Sequence, residues 1–182
     1  MGRLYLVRHG RAEAPFGVAD DPALDDVGQQ QAEAVVRKIG DLSHKKIITS
    51  PLLRARQTAA PLAEHWRTKP VVEEIVTEIP TPREDDIDRE QWLREFITGV
   101  WSAAPADLRR WRDSIVSFLV RQTEDVVVFT HFVAINVAAG AATDDVHIAV
   151  FRPDNGSITV FDVVDGKLTM VERGREASTR LI

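Results

Sequence analysis

The sequence contains no cysteine, which excludes disulfide bonds, thiolate metal ligands and cysteine nucleophiles. No apolar run approaches the length of about 20 residues that spans a membrane. The chain does not open with a charged segment followed by an apolar run, as an export signal does. These absences favour a cytoplasmic protein that has no membrane partner.

Positive charge is also in the minority. The chain carries 23 Lys and Arg residues against 28 Asp and Glu residues, for a formal net charge of -5. Nucleic acids select a basic protein surface, so no nucleic-acid partner is expected. The length of 182 residues, with 44% hydrophobic and 28% charged residues, is typical of one globular domain. We expect a single domain over residues 1–182, with an insertion at about 80–104.

Apolar residues recur at strand spacing and helix spacing in alternation. A buried strand over residues 4–7 precedes a helix that Asp25 or Asp26 can cap and Gly40 can end. A short strand is predicted over Lys46–Thr49. At the following helix, Ser50 is predicted as the N-cap and Pro51 as the first residue, where the missing N–H costs nothing.

The second half of the chain continues this pattern. The segment KPVVEEIVTEIPTPREDD predicts a third strand that runs into a proline-rich acidic loop. Two helices follow, with Leu93, Ile97, Val100 and Trp101 on one face of the first and Leu108, Trp111, Ile115 and Leu119 on one face of the second. The run Val126 to Phe129 predicts a fourth, fully buried strand. A small-residue helix and a hairpin around Asp165-Gly166 complete an α/β fold: a three-layer α/β/α sandwich with a mostly parallel central sheet.

Basic and imidazole side chains follow three of the predicted strands. Arg8 and His9 follow the first strand, Arg54 stands one turn into the helix after the second, and His131 follows the fourth. Ligands of such sheets bind at the carboxyl ends of the strands, where these side chains should meet. Guanidinium groups bind phosphoryl oxygens, and a neutral imidazole is a competent nucleophile near pH 7. Each residue also has an ordinary structural explanation, but their coincidence favours an anion site.

The motifs LVRHG, LDDVGQQQA, ITSPLLRARQTA and VVVFTH occur in this order over most of the chain. Together they resemble the histidine phosphatase superfamily, also called phosphoglycerate mutase-like. The resemblance implies that His9 attacks phosphorus and that Arg8, Arg54 and His131 bind the phosphoryl oxygens. It implies a small phosphorylated substrate, no cofactor and no metal.

The resemblance also implies a general acid from a glutamate shortly after the third strand. Glu78 occupies that place, and Glu73, Glu74 and Glu84 are alternatives. A carboxyl group with this role needs a raised pKa, which burial provides.

Several positions depart from the family pattern. Ala12 and Pro15 stand where a hydroxyl residue and an asparagine are frequent, Phe132 replaces a common glycine after the second histidine, and no Gly-x-x-Glu-Gly follows Glu78. We expect a metal-independent phosphatase that forms a phosphohistidine intermediate. The alternatives are a protein phosphohistidine phosphatase, a phosphoglycerate mutase and a non-catalytic phosphate-binding module. The sequence identifies neither the substrate nor the oligomeric state.

Overall fold

The central sheet is the feature that positions the candidate site. The computed structural model describes residues 2–42, 45–82 and 87–178. Within them the strands are β1 Gly2–Arg8, β2 Lys46–Thr49, β3 Val71–Val72, β4 Val126–Thr130, β5 Ile158–Val164 and β6 Lys167–Glu172. The α-helices are α1 Asp26–Ile39, α2 Leu53–His65, α3 Arg89–Phe96, α4 Ala106–Val120 and α5 Phe132–Thr143. None of these helices is both long and apolar enough to cross a membrane.

The strands form one mixed sheet in the order β3-β2-β4-β1-β5-β6. Strands β1, β2, β3 and β4 are parallel, and β5 pairs antiparallel with both β1 and β6. In the register of β1 and β4, Arg8 lies opposite Thr130. The carboxyl ends of β1, β2 and β4 therefore lie side by side, which confirms the predicted mostly parallel sheet.

Helices cover both faces of this sheet. On one face Leu6 and Val128 pack in a core that includes Ile115 of α4 and Ile135 of α5. On the other face Val7, Phe129 and Ile47 pack with apolar residues of α1 and α2. Alternate residues of a strand point to opposite faces, so β1, β2 and β4 each contribute to both cores. This arrangement confirms the three-layer sandwich.

Helix α2 begins later than the sequence predicts. Its N-cap is Leu52 rather than Ser50, and Pro51 lies in the turn before the helix. The backbone N–H of Leu53 donates to both carboxylate oxygens of Asp21, at 2.8 and 3.1 Å. An acidic residue from a distant loop therefore caps the helix, and no local sequence pattern indicates such a cap.

Two further elements are shorter than the sequence indicates. The third strand is limited to Val71–Val72 and is followed by a single 3-10 turn over Glu74–Val76. The helix predicted through Trp101 ends at Phe96. Beyond it the backbone N–H of Trp101 donates to Val146 O at 2.9 Å, a tertiary bond that replaces continued helix.

Two local predictions are confirmed. The side chain of Asp25 caps α1 by accepting from Gly28 N at 2.7 Å. The β5–β6 hairpin turns through Asp165 and Gly166, whose φ angles are 50° and 72°. Positive φ at both central residues matches the right-handed twist of the flanking strands.

Candidate active site

The carboxyl-end edge of the sheet brings four of the predicted residues together. Arg8 ends β1, and the backbone N–H of the next residue, His9, donates to Thr130 O of β4 at 3.0 Å. Arg54 lies in the first turn of α2, and His131 is the N-cap residue of α5. The exposed fractions are 8% for His9, 6% for Arg54 and 0% for His131. The sequence-predicted cations and imidazoles therefore share one buried site.

His9 is held in a defined orientation. Its Nδ1 lies 2.7 Å from Gly10 O, and because a carbonyl oxygen only accepts, Nδ1 carries the proton. The lone pair is then on Nε2, which accepts a hydrogen bond from Arg54 Nε at 3.2 Å. Asn155 Nδ2 donates to His9 O at 3.0 Å. The nitrogen that faces the arginine is thus the one that can act as a nucleophile.

The glycine after His9 allows the loop to pack tightly against two helices. A Cβ atom at Gly10 would lie 2.5 Å from Gly28 O in α1, which is too close for any side chain. Gly10 N donates to Thr58 Oγ1 at 2.9 Å, and the same hydroxyl donates to Arg54 O at 2.6 Å. These bonds fix the position of His9 relative to α2.

The two arginines place positive charge beside the imidazole. Arg8 Nη1 donates to Pro153 O at 2.8 Å, and its Cζ lies 5.3 Å from the ring centre of Phe132. Arg54 Nη1 lies 3.8 Å from Asp21 Oδ1. Burial lowers the pKa of Arg8 to about 10 and also lowers the pKa of Arg54. At a pKa of about 10, Arg8 stays protonated at neutral pH.

The second imidazole lies next to the first. The ring centres of His9 and His131 are 5.1 Å apart, and His131 Nε2 lies 2.8 Å from Ser50 Oγ. Burial first, and then the charge of Arg54, hold the pKa of each histidine well below its usual value. Both imidazoles are therefore neutral near pH 7.

Glu78 lies at the same site, next to the start of α5. It is 8% exposed, and its Oε1 accepts from Ile79 N at 3.0 Å and from Val133 N at 3.1 Å. Burial raises its pKa despite these donors and the nearby arginines. Of the alternatives, Glu73 and Glu74 are not among the residues that line the cavity at the site. Glu84 lies outside the described residues.

A cavity of about 560 Å³ opens at these side chains. Arg8, His9, Arg54 and Glu78 line this cavity, and we call the rest of its lining the outer part. Its outer part is lined by the loop after β1, by residues that follow Glu78 and by α3. Ala12, Pro15 and Phe132, three positions that depart from the family pattern, all lie in this lining.

Sequence reasoning missed several residues that shape the site. Asn155 holds the backbone of His9, Asp21 caps the helix that carries Arg54, and Ser50 contacts His131. Ser50 and Thr58 both lie in the ITSPLLRARQTA motif, so the sequence carries a signal for these two residues. Asn155 occurs in an ordinary turn sequence and is 146 positions from His9, and nothing local indicates their contact.

The arrangement can bind a phosphoryl dianion and transfer it. The guanidinium groups of Arg8 and Arg54 offer planar pairs of donors, which fit phosphoryl oxygens. A neutral imidazole with a free lone pair and a carboxyl group with a raised pKa lie beside them. Within residues 2–42, 45–82 and 87–178, no cluster of three or more His, Asp or Glu side chains is placed to hold a metal ion.

Comparison with known proteins confirms the family. The chain matches the model of the histidine phosphatase superfamily (branch 1) over residues 4–175. It therefore belongs to that superfamily, as its sequence motifs indicate.

One curated relative matches part of the sequence, and solved structures match the fold over almost the whole chain. Phosphoserine phosphatase 1 of Hydrogenobacter thermophilus is 30% identical over 115 residues, a match that covers 61% of this chain and 51% of that protein. The match thus spans about half the length of this relative. The phosphoserine phosphatase of Entamoeba histolytica, solved in complex with 3-phosphoglyceric acid, superposes with a TM-score of 0.76 at 22% identity, covering 98% of each chain. YhfR of Bacillus stearothermophilus gives a TM-score of 0.76 at 23% identity, again covering 98% of each chain.

Proposed function

We propose that this protein is a phosphatase that hydrolyses small phosphomonoesters through a phosphohistidine at His9. The observation that carries the proposal is the geometry of His9. Its Nδ1–H is held by Gly10 O at 2.7 Å, and its Nε2 faces the guanidinium of Arg54 at 3.2 Å. A nucleophile with a fixed lone pair next to a cation matches what phosphoryl transfer requires.

Arg8, Arg54 and His131 bind the phosphoryl oxygens in this proposal. The buried Nε of Arg8 and Nδ1 of His131 lack hydrogen-bond partners among the described residues. Buried polar groups are nearly always hydrogen-bonded, so a phosphoryl oxygen is a suitable partner for them. Charge that develops on the equatorial oxygens is stabilised by the two guanidinium groups. Because these cations are built into the site, we propose that the reaction proceeds without a metal or another cofactor.

Glu78 supplies the proton that the leaving group needs. His9 Nε2 attacks phosphorus while the bond from phosphorus to the ester oxygen breaks, and the Glu78 carboxyl group protonates that oxygen. Water then attacks the phosphohistidine, and the Glu78 carboxylate accepts its proton. The products are an alcohol, inorganic phosphate and regenerated His9. The buried position and raised pKa of Glu78 support this role.

The phosphohistidine is the most direct test of the proposal. Wild-type protein incubated with a ³²P-labelled phosphomonoester should carry acid-labile, base-stable label after rapid denaturation. The His9→Ala variant should carry no label and show no turnover, while its circular dichroism and unfolding temperature remain close to those of wild type. Label that persists in His9→Ala contradicts the assignment. A wild-type protein that binds phosphate without turnover supports the phosphate-binding module instead. Activity should survive treatment with EDTA.

A further inference from the structure

The outer part of the cavity is mainly apolar. Leu93 and Ile97, on and just after α3, are 5% and 8% exposed, and Ile79 and Phe132 are 3% and 8% exposed. Phe16, in the loop after β1, also lines the cavity and packs against the same hydrophobic core. A leaving group that extends from phosphorus away from His9 therefore meets hydrocarbon.

The loop that carries Phe16 packs tightly against α3. Gly17 has a φ of 88°, and a Cβ atom there would lie 2.9 Å from Arg89 Cβ. Only glycine allows this close approach with positive φ. The loop and the helix thus form a continuous wall around the outer cavity.

Within the described part of the chain, the charged side chains in the outer lining face opposite charges. Arg11 Nε lies 2.5 Å from Asp25 Oδ2, and this contact helps to lower the pKa of Asp25. Arg89 Nη1 lies 3.6 Å from Asp20 Oδ1, and both residues line the cavity. A carboxylate on the substrate would have to compete with these protein carboxylates for the arginines.

We propose that the preferred substrates are phosphomonoesters of uncharged, apolar alcohols or phenols rather than of carboxylated alcohols such as serine or glycerate. This inference rests on the proposed function and specifies its substrate class. The cavity volume of about 560 Å³ leaves room for a leaving group beyond the phosphoryl group, because pockets of roughly 300–1,000 Å³ accommodate ordinary small ligands. Apolar recognition would distinguish this protein from the phosphoserine phosphatases that share its fold.

The comparison of hexyl phosphate with phosphoserine separates recognition from chemistry. The ammonium and carboxylate groups of serine make its alkoxide the better leaving group, so chemistry alone favours phosphoserine. We expect kcat/KM for hexyl phosphate to exceed that for phosphoserine and 3-phosphoglycerate by at least about tenfold, or about 1.4 kcal/mol. The kcat/KM for phenyl phosphate should likewise exceed that for 4-carboxyphenyl phosphate. Equal or higher values for the carboxylated esters overturn the inference.

A variant in the apolar wall connects this preference to the structure. Phe16→Ala should lower the ratio of kcat/KM for hexyl phosphate to kcat/KM for glycerol 3-phosphate by roughly fourfold. This is the effect expected when the burial of about one methylene group is lost. The ratio does not depend on the fraction of protein that is folded. Val171→Ala on β6, at a residue that is 50% exposed, is the control and should leave the ratio unchanged. An unchanged ratio in Phe16→Ala contradicts the assignment of this wall.

Binding of inert analogues tests the inference separately from catalysis. Titration calorimetry should show that hexylphosphonate binds at least about tenfold more tightly than 3-phosphonopropionate. Similar affinities overturn the inference even if turnover is observed. If no ester is hydrolysed and His9 is never labelled, the proposed function fails, while the phosphonate comparison still decides the nature of the cavity.

Discussion

Arg54 Nε donates a hydrogen bond to His9 Nε2 across 3.2 Å in a buried site. The cation and the nitrogen that we propose as the nucleophile therefore face each other directly. A phosphoryl group bonded to this nitrogen would bring its oxygens to the guanidinium, so the contact that orients the imidazole is replaced by one that binds the transferred group. Arg54 is in this sense placed for both stages of the proposed reaction.

Replacement of Arg54 should therefore cost much more activity than replacement of its neighbour Arg56. Arg54→Ala should lower kcat/KM on the order of 10²-fold or more, because it removes a preorganised charge from the transition state. Arg56 is exposed on the same helix, and Arg56→Ala should change kcat/KM by less than about twofold. Steady-state assays of both purified variants make the comparison. Equal losses would show that Arg54 has no special role.

His131 should be similarly important, with Ser50 as its partner. His131→Ala should lower kcat/KM on the order of 10²-fold, because a donor to the phosphoryl oxygens is lost. Ser50 Oγ lies 2.8 Å from His131 Nε2 and accepts from Leu52 N at 3.2 Å. Ser50→Ala should cause a smaller loss that Ser50→Thr partly restores. A His131→Ala variant with normal kcat/KM would contradict the assignment.

The proposed role of Glu78 as general acid can be tested by comparing esters with poor and good leaving groups. Glu78→Gln should slow hydrolysis of alkyl phosphates far more than that of 4-nitrophenyl phosphate, because only the alkoxide needs protonation as it departs. Single-turnover rates for both esters are the measurement, with Glu73→Gln as the matched control. Equal slowing of both esters would exclude Glu78 as the acid and point to Glu84.

The pH dependence of kcat/KM follows from two shifted pKa values. Burial keeps the pKa of His9 well below its usual value, so the nucleophile stays unprotonated as the pH falls through about 6.5 and is lost only at lower pH. Burial raises the pKa of Glu78 above its usual value. The carboxyl group therefore loses its proton, and with it the general acid, only as the pH rises through this raised pKa. Alkyl phosphates should show this alkaline loss, whereas 4-nitrophenyl phosphate should not. The difference between the two profiles should vanish in Glu78→Gln.

Hydrolysis should dominate over phosphoryl isomerisation. A mutase must retain the phosphohistidine until its product rebinds, which needs further cations for a second anionic group and little access of water. Here Arg11 and Arg89 of the outer cavity face Asp25 and Asp20. With 3-phosphoglycerate and 2,3-bisphosphoglycerate, any turnover should release inorganic phosphate. Formation of 2-phosphoglycerate that outpaces phosphate release would contradict this prediction.

The elements that carry the site could be predicted from the sequence. Apolar runs at the spacing of buried strands place β1 and β4, and polar residues at their ends identify Arg8, His9 and His131. The cap of α1 by Asp25 follows from local hydrogen bonding between nearby residues. Such features depend on interactions within a few residues, so the sequence alone determines them.

Features that join distant segments were decided by the tertiary structure. The start of α2 depends on Asp21, which is 32 positions from Leu53, and the end of α3 depends on pairing with the chain near Val146. The contact of Asn155 with His9 and the apolar wall from Phe16 to α3 arise in the same way. Spacing along the chain specifies which faces are apolar and where strands end. Only packing brings a carboxylate, an amide or a ring from a remote loop within contact distance, so the tertiary structure set the precise geometry of the site and the character of its outer cavity.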